Sequence, residues 1–336
     1  MRPGKLPPDL LADLLTRLPG GDPRVLVGPR VGEDAAVIDF GDRLLVAKTD
    51  PVTFATDLIG WYTVNVNAND IATMGADPKW FMATLLLPEA ASEGEIRSIF
   101  DQIAQACRGL GVTSVGGHTE VTIGLDRPIM IGCMMGEVQK DRLITSSGAS
   151  DGDVIILAGP IAIEGTALLA REAGEELREK GMSEGNLAEA SQLLFDPGIS
   201  VVAAARAATR AGGVTALHDP TEGGLATGLM ELAAASEVGI EIDAEAIPTL
   251  ALTREICAAL SLDPLGLIAS GSLLIAAEAA GAEAILAALR EAGKESAAIG
   301  RVVPRSDGVS LISGGIRRAL PQFDRDEVAR FFDSRQ

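Results

Sequence analysis

The chain is poor in aromatic and basic residues. Phe, Trp and Tyr make up 3% of 336 residues, with one Tyr in all. A stacking platform for unpaired bases needs several aromatic faces, so single-stranded nucleic-acid binding is not expected. Lys and Arg number 28 against 47 Asp and Glu, a formal net charge of −19. That balance supplies no basic face to displace counterions from nucleic acid or to attract an anionic membrane. Residues 1–150 carry a net −6 and the remainder −13, an acidity that solvated faces account for. Cysteine is scarce as well. Cys107, Cys133 and Cys257 fit neither a zinc site nor a disulfide framework, and their apolar neighbours predict buried, reduced thiols. No apolar run approaches the roughly 20 residues of a membrane helix, and Met1-Arg2-Pro3-Gly4-Lys5 does not open a signal peptide. A cytoplasmic protein acting on a small molecule is the expectation.

The common catalytic loops are missing too. There is no Gly-x-x-x-x-Gly-Lys-Ser/Thr loop, no Gly-x-Gly-x-x-Gly after a strand, no Gly-x-Ser-x-Gly elbow and no His-Glu-x-x-His helix. A nucleotide would have to be held by other means.

What is present is a mixture of helix-period and strand-period segments in both halves, which predicts α+β domains. In the first half, helices are expected over 10–18, 58–74 and from Ser92 to about Leu110, with strands over 35–40, 43–48, 80–87, 112–115 and 129–138. The Thr-Ser-Ser-Gly-Ala-Ser-Asp-Gly-Asp stretch at 145–153 reads as a boundary, giving domains 1–148 and 149–336. The second half alternates helices and strands to about residue 303.

Five clusters stand out. Gly32-Glu33-Asp34 places a carboxylate beside a residue that lets a ligand approach the backbone. In Lys48-Thr49-Asp50, strand alternation sets a cation and a carboxylate on one side. Asn67 and Asp70 share a helix face, and such buried polar groups require partners. Gly116-Gly117-His118-Thr119-Glu120 is expected to follow a strand. In His218-Asp219-Pro220-Thr221-Glu222-Gly223-Gly224, Thr221 is expected to cap a helix whose N–H groups could receive a phosphate. The only two histidines, His118 and His218, both fall in these clusters. Any one of the acids alone is more often a turn or cap residue. Together they suit Mg²⁺, which takes oxygen ligands from a few carboxylates and from substrate phosphates.

In order along the chain, GEDAAVI at 32–38, TDP at 49–51, NANDIATMGADP at 67–78, GGHTE at 116–120, HDPTEGGL at 218–225 and IASGSLLIA at 268–276 resemble the aminoimidazole ribonucleotide synthetase (PurM-like) family. That family includes the purine enzyme, thiamine-monophosphate kinase, selenophosphate synthetase and the hydrogenase-maturation carbamoyl dehydratase HypE. GGHTE, HDPTEGGL and Leu262-Asp263-Pro264-Leu265 look most like the HypE branch. The resemblance implies an N-terminal domain whose strands pair with a second subunit into a barrel, a C-terminal ferredoxin-like α/β sandwich, and a homodimer. It implies ATP with Mg²⁺ in the cleft between the domains and at the dimer interface, the γ-phosphate being used to activate an oxygen of a small substrate. By motif position, Asp34, Asp50, Asp70 and Asp219 match the metal-binding acids; at the Gly-Gly-His motif, metal binding either passes to Glu120 or is absent. Lys48, Asn67, Gly116, Gly117, Thr119 and Thr221 would contact the nucleotide, and His118 or His218 would position the acceptor or move a proton.

Two features depart from the pattern. His118 stands where the kinase and the purine enzyme carry an acid. HypE proteins end in a tail with a terminal cysteine, whereas this sequence ends Phe331-Phe332-Asp333-Ser334-Arg335-Gln336 and its last cysteine is Cys257; cyanide-group synthesis on a C-terminal thiolate is therefore not expected. The alternatives to an ATP-using enzyme of unknown acceptor are a nucleotide-binding scaffold dimer without turnover, or a divergent aminoimidazole ribonucleotide synthetase or thiamine-monophosphate kinase.

Overall fold

The computed structural model describes residues 6, 8–29, 34–53 and 57–333. It divides into two compact units, Arg17–Leu143 and Ile144–Gln336, the second joined by Met1–Thr16. Helix α1 (Pro8–Leu15) therefore groups with the C-terminal unit.

The N-terminal unit runs β1 (Val25–Val27), β2 (Ala36–Asp39), β3 (Leu44–Val52), α2 (Ile59–Thr73), β4 (Asp77–Leu87), α3 (Glu93–Leu110), β5 (Thr113–Val121) and β6 (Ile129–Val138). Its six-stranded sheet has the order β1-β2-β3-β6-β4-β5. Among its described residues only β4 and β5 pair in parallel, as a pair bridged by a crossover helix must. That helix, α3, starts on a full capping box: Ser92 Oγ accepts from the Glu95 N–H, and Glu95 reaches back to the Ser92 N–H. The β2–β3 turn is tied by Asp39 Oδ1, which accepts from the Gly41 N–H at 2.8 Å.

Helix α2 is buried along nearly its whole length, polar residues included. It lies on β6, β3 and β4, and two glycines of β6 let it come close. A Cβ at Gly132 would sit 2.4 Å from Asn67 Nδ2, and one at Gly136 2.3 Å from Ile71 Cγ2. The sequence motif Asn67-Ala68-Asn69-Asp70 is thus pressed against the sheet.

The C-terminal unit runs β7 (Val154–Ala158), α4 (Ile163–Glu172), α5 (Gly174–Glu179), α6 (Glu184–Gln192), α7 (Val202–Ala211), β8 (Val214–His218), α8 (Gly224–Ser236), β9 (Gly239–Asp243), α9 (Ala251–Leu260), β10 (Leu273–Ala277), α10 (Ala282–Glu291), β11 (Ser296–Val303), β12 (Val309–Ser313), β13 (Ile316–Ala319) and α11 (Glu327–Asp333). Its seven strands are ordered β13-β12-β9-β11-β7-β10-β8. Every residue of β10 is buried, the pattern of a strand covered on both faces. Ile155, Leu157, Leu274 and Ala276 join α4, α8 and α9 in the main core through Leu169, Leu225, Leu229 and Ile256. Helices α7 and α10 pack on each other and touch β7, β8 and β10. The architecture is α+β in both units, as expected from the sequence.

Candidate functional site

The lysine and aspartate predicted to share a strand side do so. Lys48 Nζ lies 3.6 Å from Asp50 Oδ2, and 3.4 Å from Asp70 Oδ2 across on α2. The ammonium therefore stands between two carboxylates delivered by different elements. Asp70 is 6% exposed. Asp34, just before β2, brings a carboxylate oxygen within 4.8 Å of one from Asp70. Oxygens on opposite sides of an octahedral Mg²⁺ are about 4.2 Å apart. The donors are hard oxygens gathered on that scale, so Asp34 and Asp70 fit such an ion. Gly32 and Glu33 of the same motif lie outside the described residues.

Asn67 has a different task from the one expected. Its Oδ1 accepts from the Asp50 N–H at 2.9 Å, and its Nδ2 donates to the carbonyls of Thr63 at 2.9 Å and Asp50 at 3.3 Å. A fully buried amide committed to backbone in this way positions Asp50 and has little capacity left for a nucleotide.

The glycine–histidine motif is also placed differently. Gly116-Gly117-His118-Thr119-Glu120 lies within β5 instead of following it, because the β4–β5 ladder continues through Leu87↔Val121. Gly117 has φ +148°, and a Cβ there would fall 2.1 Å from the Ala83 carbonyl oxygen. Only glycine permits that close ladder. His118 and Glu120, two apart on the strand, share a face; Nε2 and Oε2 are 3.0 Å apart and both side chains are exposed. Glu120 is not gathered with Asp34 and Asp70. All nine residues of β5 are exposed, at the open edge of the sheet.

In the C-terminal unit, His218 ends β8 and Asp219 follows it; they are 6% and 3% exposed. His218 Nε2 is 3.0 Å from Glu231 Oε2 on α8, a contact that fixes the ring. Thr221 does not cap α8. The N-cap is Gly223, at φ +79°, while the Thr221 carbonyl accepts from the Gly224 and Ala269 N–H groups. The loop is tied instead by Asp326, which sequence reasoning passed over: its Oδ2 accepts from the Gly223 N–H at 2.7 Å. The sequence pattern assigned no element beyond about residue 303, so Asp326, just before α11, drew no attention.

The cysteines are inert as nucleophiles. Burial pushes the thiols of Cys107 and Cys257 up to about 11 and about 12, and raises that of Cys133, so none is a thiolate at neutral pH. Among the described residues no helix is long and apolar enough to cross a membrane.

Comparison with known proteins places the chain in a family. Residues 32–138 match the model of the AIR synthase related protein N-terminal domain, and residues 150–312 that of its C-terminal domain. A putative hydrogenase expression/formation protein of Methanocaldococcus jannaschii is 30% identical over 97% of this chain and 96% of its own length. The carbamoyl dehydratase HypE of Cupriavidus necator is 34% identical over 86% of this chain and 82% of its own. The structure of a hydrogenase maturation protein HypE in complex with ATP superposes with a TM-score of 0.73 at 25% identity, covering 95% of this chain and 91% of that one. The chain belongs to the AIR synthase related protein family and stands there with the HypE hydrogenase maturation proteins.

Proposed function

We propose that this chain, an ATP-dependent enzyme of the HypE-like group, binds ATP with Mg²⁺ and uses the γ-phosphate to activate an oxygen of a small substrate. The observation that carries the reading is Lys48 set between Asp50 and Asp70, with Asp34 close to Asp70. Carboxylates that can share a metal, with a cation beside them for phosphate, are what phosphoryl transfer needs. Bound Mg²⁺ would neutralise phosphate charge as it develops. In this reading Asp34, Asp50 and Asp70 are the N-terminal unit's metal ligands, and Lys48 contacts a phosphate. Asn67 acts by fixing Asp50. The exposed backbone of Gly116 and Gly117, with Thr119 and Glu120, offers further phosphate and metal contacts. Asp219 and Thr221 are proposed from their motif, and His118 and His218 as the groups that position the acceptor or carry a proton. The open, wholly exposed edge strand β5 supports a homodimer, since a bare strand edge is a template for pairing.

The test is calorimetric. Asp50→Asn combined with Asp70→Asn should abolish Mg-ATP binding, and unchanged affinity would remove the metal assignment. ADP formation dependent on one fraction of a metabolite extract supports the enzyme. Tight binding without turnover under any fraction supports the scaffold instead.

A further inference from the structure

Three segments of the C-terminal unit meet at one end of its sheet. Strand β10 runs antiparallel to both β7 and β8, with Leu273 opposite Ala158 and Leu274 opposite His218. The loop before β10, the turn from β7 into α4 and the glycine loop after β8 are therefore neighbours. They are tied together: the Gly165 N–H donates to the Ile268 carbonyl, and the Ala269 N–H to that of Thr221.

Glu164, in the first turn of α4, is turned into this junction and is 7% exposed. It accepts hydrogen bonds from the side chain and backbone of Ser270. Its Oε2 is buried and has no hydrogen-bond partner among the described residues. Among the described residues, the charges that bear on it are two acids: Asp326, half-buried on the Gly223 N–H, and Glu222, at the exposed rim. Arg330, on α11 with Glu327, is committed to that residue. Burial, then repulsion from Asp326 and Glu222, raises the Glu164 carboxyl to about 7, and burial first raises Asp326 to about 6. An unsatisfied buried carboxyl oxygen beside two further acids is costly unless something else completes it.

We propose that Glu164, Asp326 and Glu222 form the acceptor subsite of this chain, and that it receives a cationic nitrogen group of ammonium or amidinium type. N–H donors satisfy the orphaned oxygen, and the positive charge relieves the repulsion among the acids. A shared metal ion is the poorer occupant, because these carboxylates are not among those gathered closely enough to hold one. The name acceptor subsite rests on the function proposed above; the cation binding does not.

The experiment is titration of the full chain with methylguanidinium, with neutral methylurea as the matched control. Methylguanidinium should bind and methylurea should not, and Glu164→Gln should weaken methylguanidinium binding at least tenfold. Binding that survives this substitution unchanged, or no binding to the unmodified chain, overturns the proposal. A measurement on the unmodified chain guards against a misfolded variant. Cation binding must drive the Glu164 proton off, so calorimetry near about pH 6.5 in two buffers of different ionisation enthalpy should show net proton release; none overturns the proposal. Mg-ATP titration of the same protein reads the nucleotide site separately, so failure there leaves the cation result standing.

Discussion

The side-chain amide of Asn67 grips the main chain of Asp50 at both its N–H and its carbonyl, at 2.9 and 3.3 Å. The carboxylate of Asp50 is therefore aimed from a helix one layer away. Asn67→Ala leaves buried backbone groups without partners, which costs about 1–3 kcal/mol. It should lower the melting temperature and weaken Mg-ATP binding together. Asn67→Asp keeps the acceptor for the Asp50 N–H but adds a charge beside it. A variant that melts lower yet binds Mg-ATP with full affinity would show that the bracket serves stability alone.

Lys48 offers a test with opposite signs. Its ammonium both balances Asp50 and Asp70 and, in the proposed reading, holds a phosphate. In Lys48→Met the two carboxylates lose their resident cation, so Mn²⁺ alone should bind several-fold tighter, while ATP affinity falls at least tenfold. Mn²⁺ relaxation and nucleotide titration measure the two effects independently.

The paired glycines of β5 separate backbone strain from steric conflict. Both have φ near +147°, yet a Cβ at Gly116 would meet nothing within 4 Å, while one at Gly117 would strike the Ala83 carbonyl at 2.1 Å. Gly116→Ala should cost only conformational strain, about 1–3 kcal/mol. Gly117→Ala must also part β5 from β4 and should cost more. Chemical denaturation ranks them, and equal losses would refute the ladder geometry.

Stability should depend on pH through Glu164. Its folded carboxyl is raised from 4.5 to about 7, so between those values the native state holds a proton that the unfolded chain has lost. Stability therefore declines as pH rises through that window, by about 3 kcal/mol in order of magnitude, and levels off above it. Glu164→Gln should flatten this slope and be the more stable form at pH 8. Denaturation curves at a series of pH values decide it; an unchanged slope would place the titrating group elsewhere.

Much of this was legible in the sequence because it is local. The Ser92 start of α3 is a short-range signal, and the pairing of Lys48 with Asp50 follows from strand alternation alone. The misreadings came where distant chain decides. The double glycine in β5 looks like a strand terminator until β4 is seen beside it. Thr221 looks like a cap, but Asp326, roughly a hundred residues on, ties the Gly223 N–H instead. Asn67 has the spacing of a ligand because the same spacing faces it toward β3. Glu164 gave no signal at all: an acid in a first helical turn is ordinarily a solvated, dipole-favoured residue, and only the β10 loop folding over it makes it buried.

Strand β5 carries a last consequence. If the Gly116–Glu120 stretch contacts the nucleotide as proposed, a bare sheet edge would tie ligand binding to encounter between chains. If two copies meet there, mass action makes the apparent nucleotide affinity rise with protein concentration. Dilution would then silence the protein while every residue of the site remained intact.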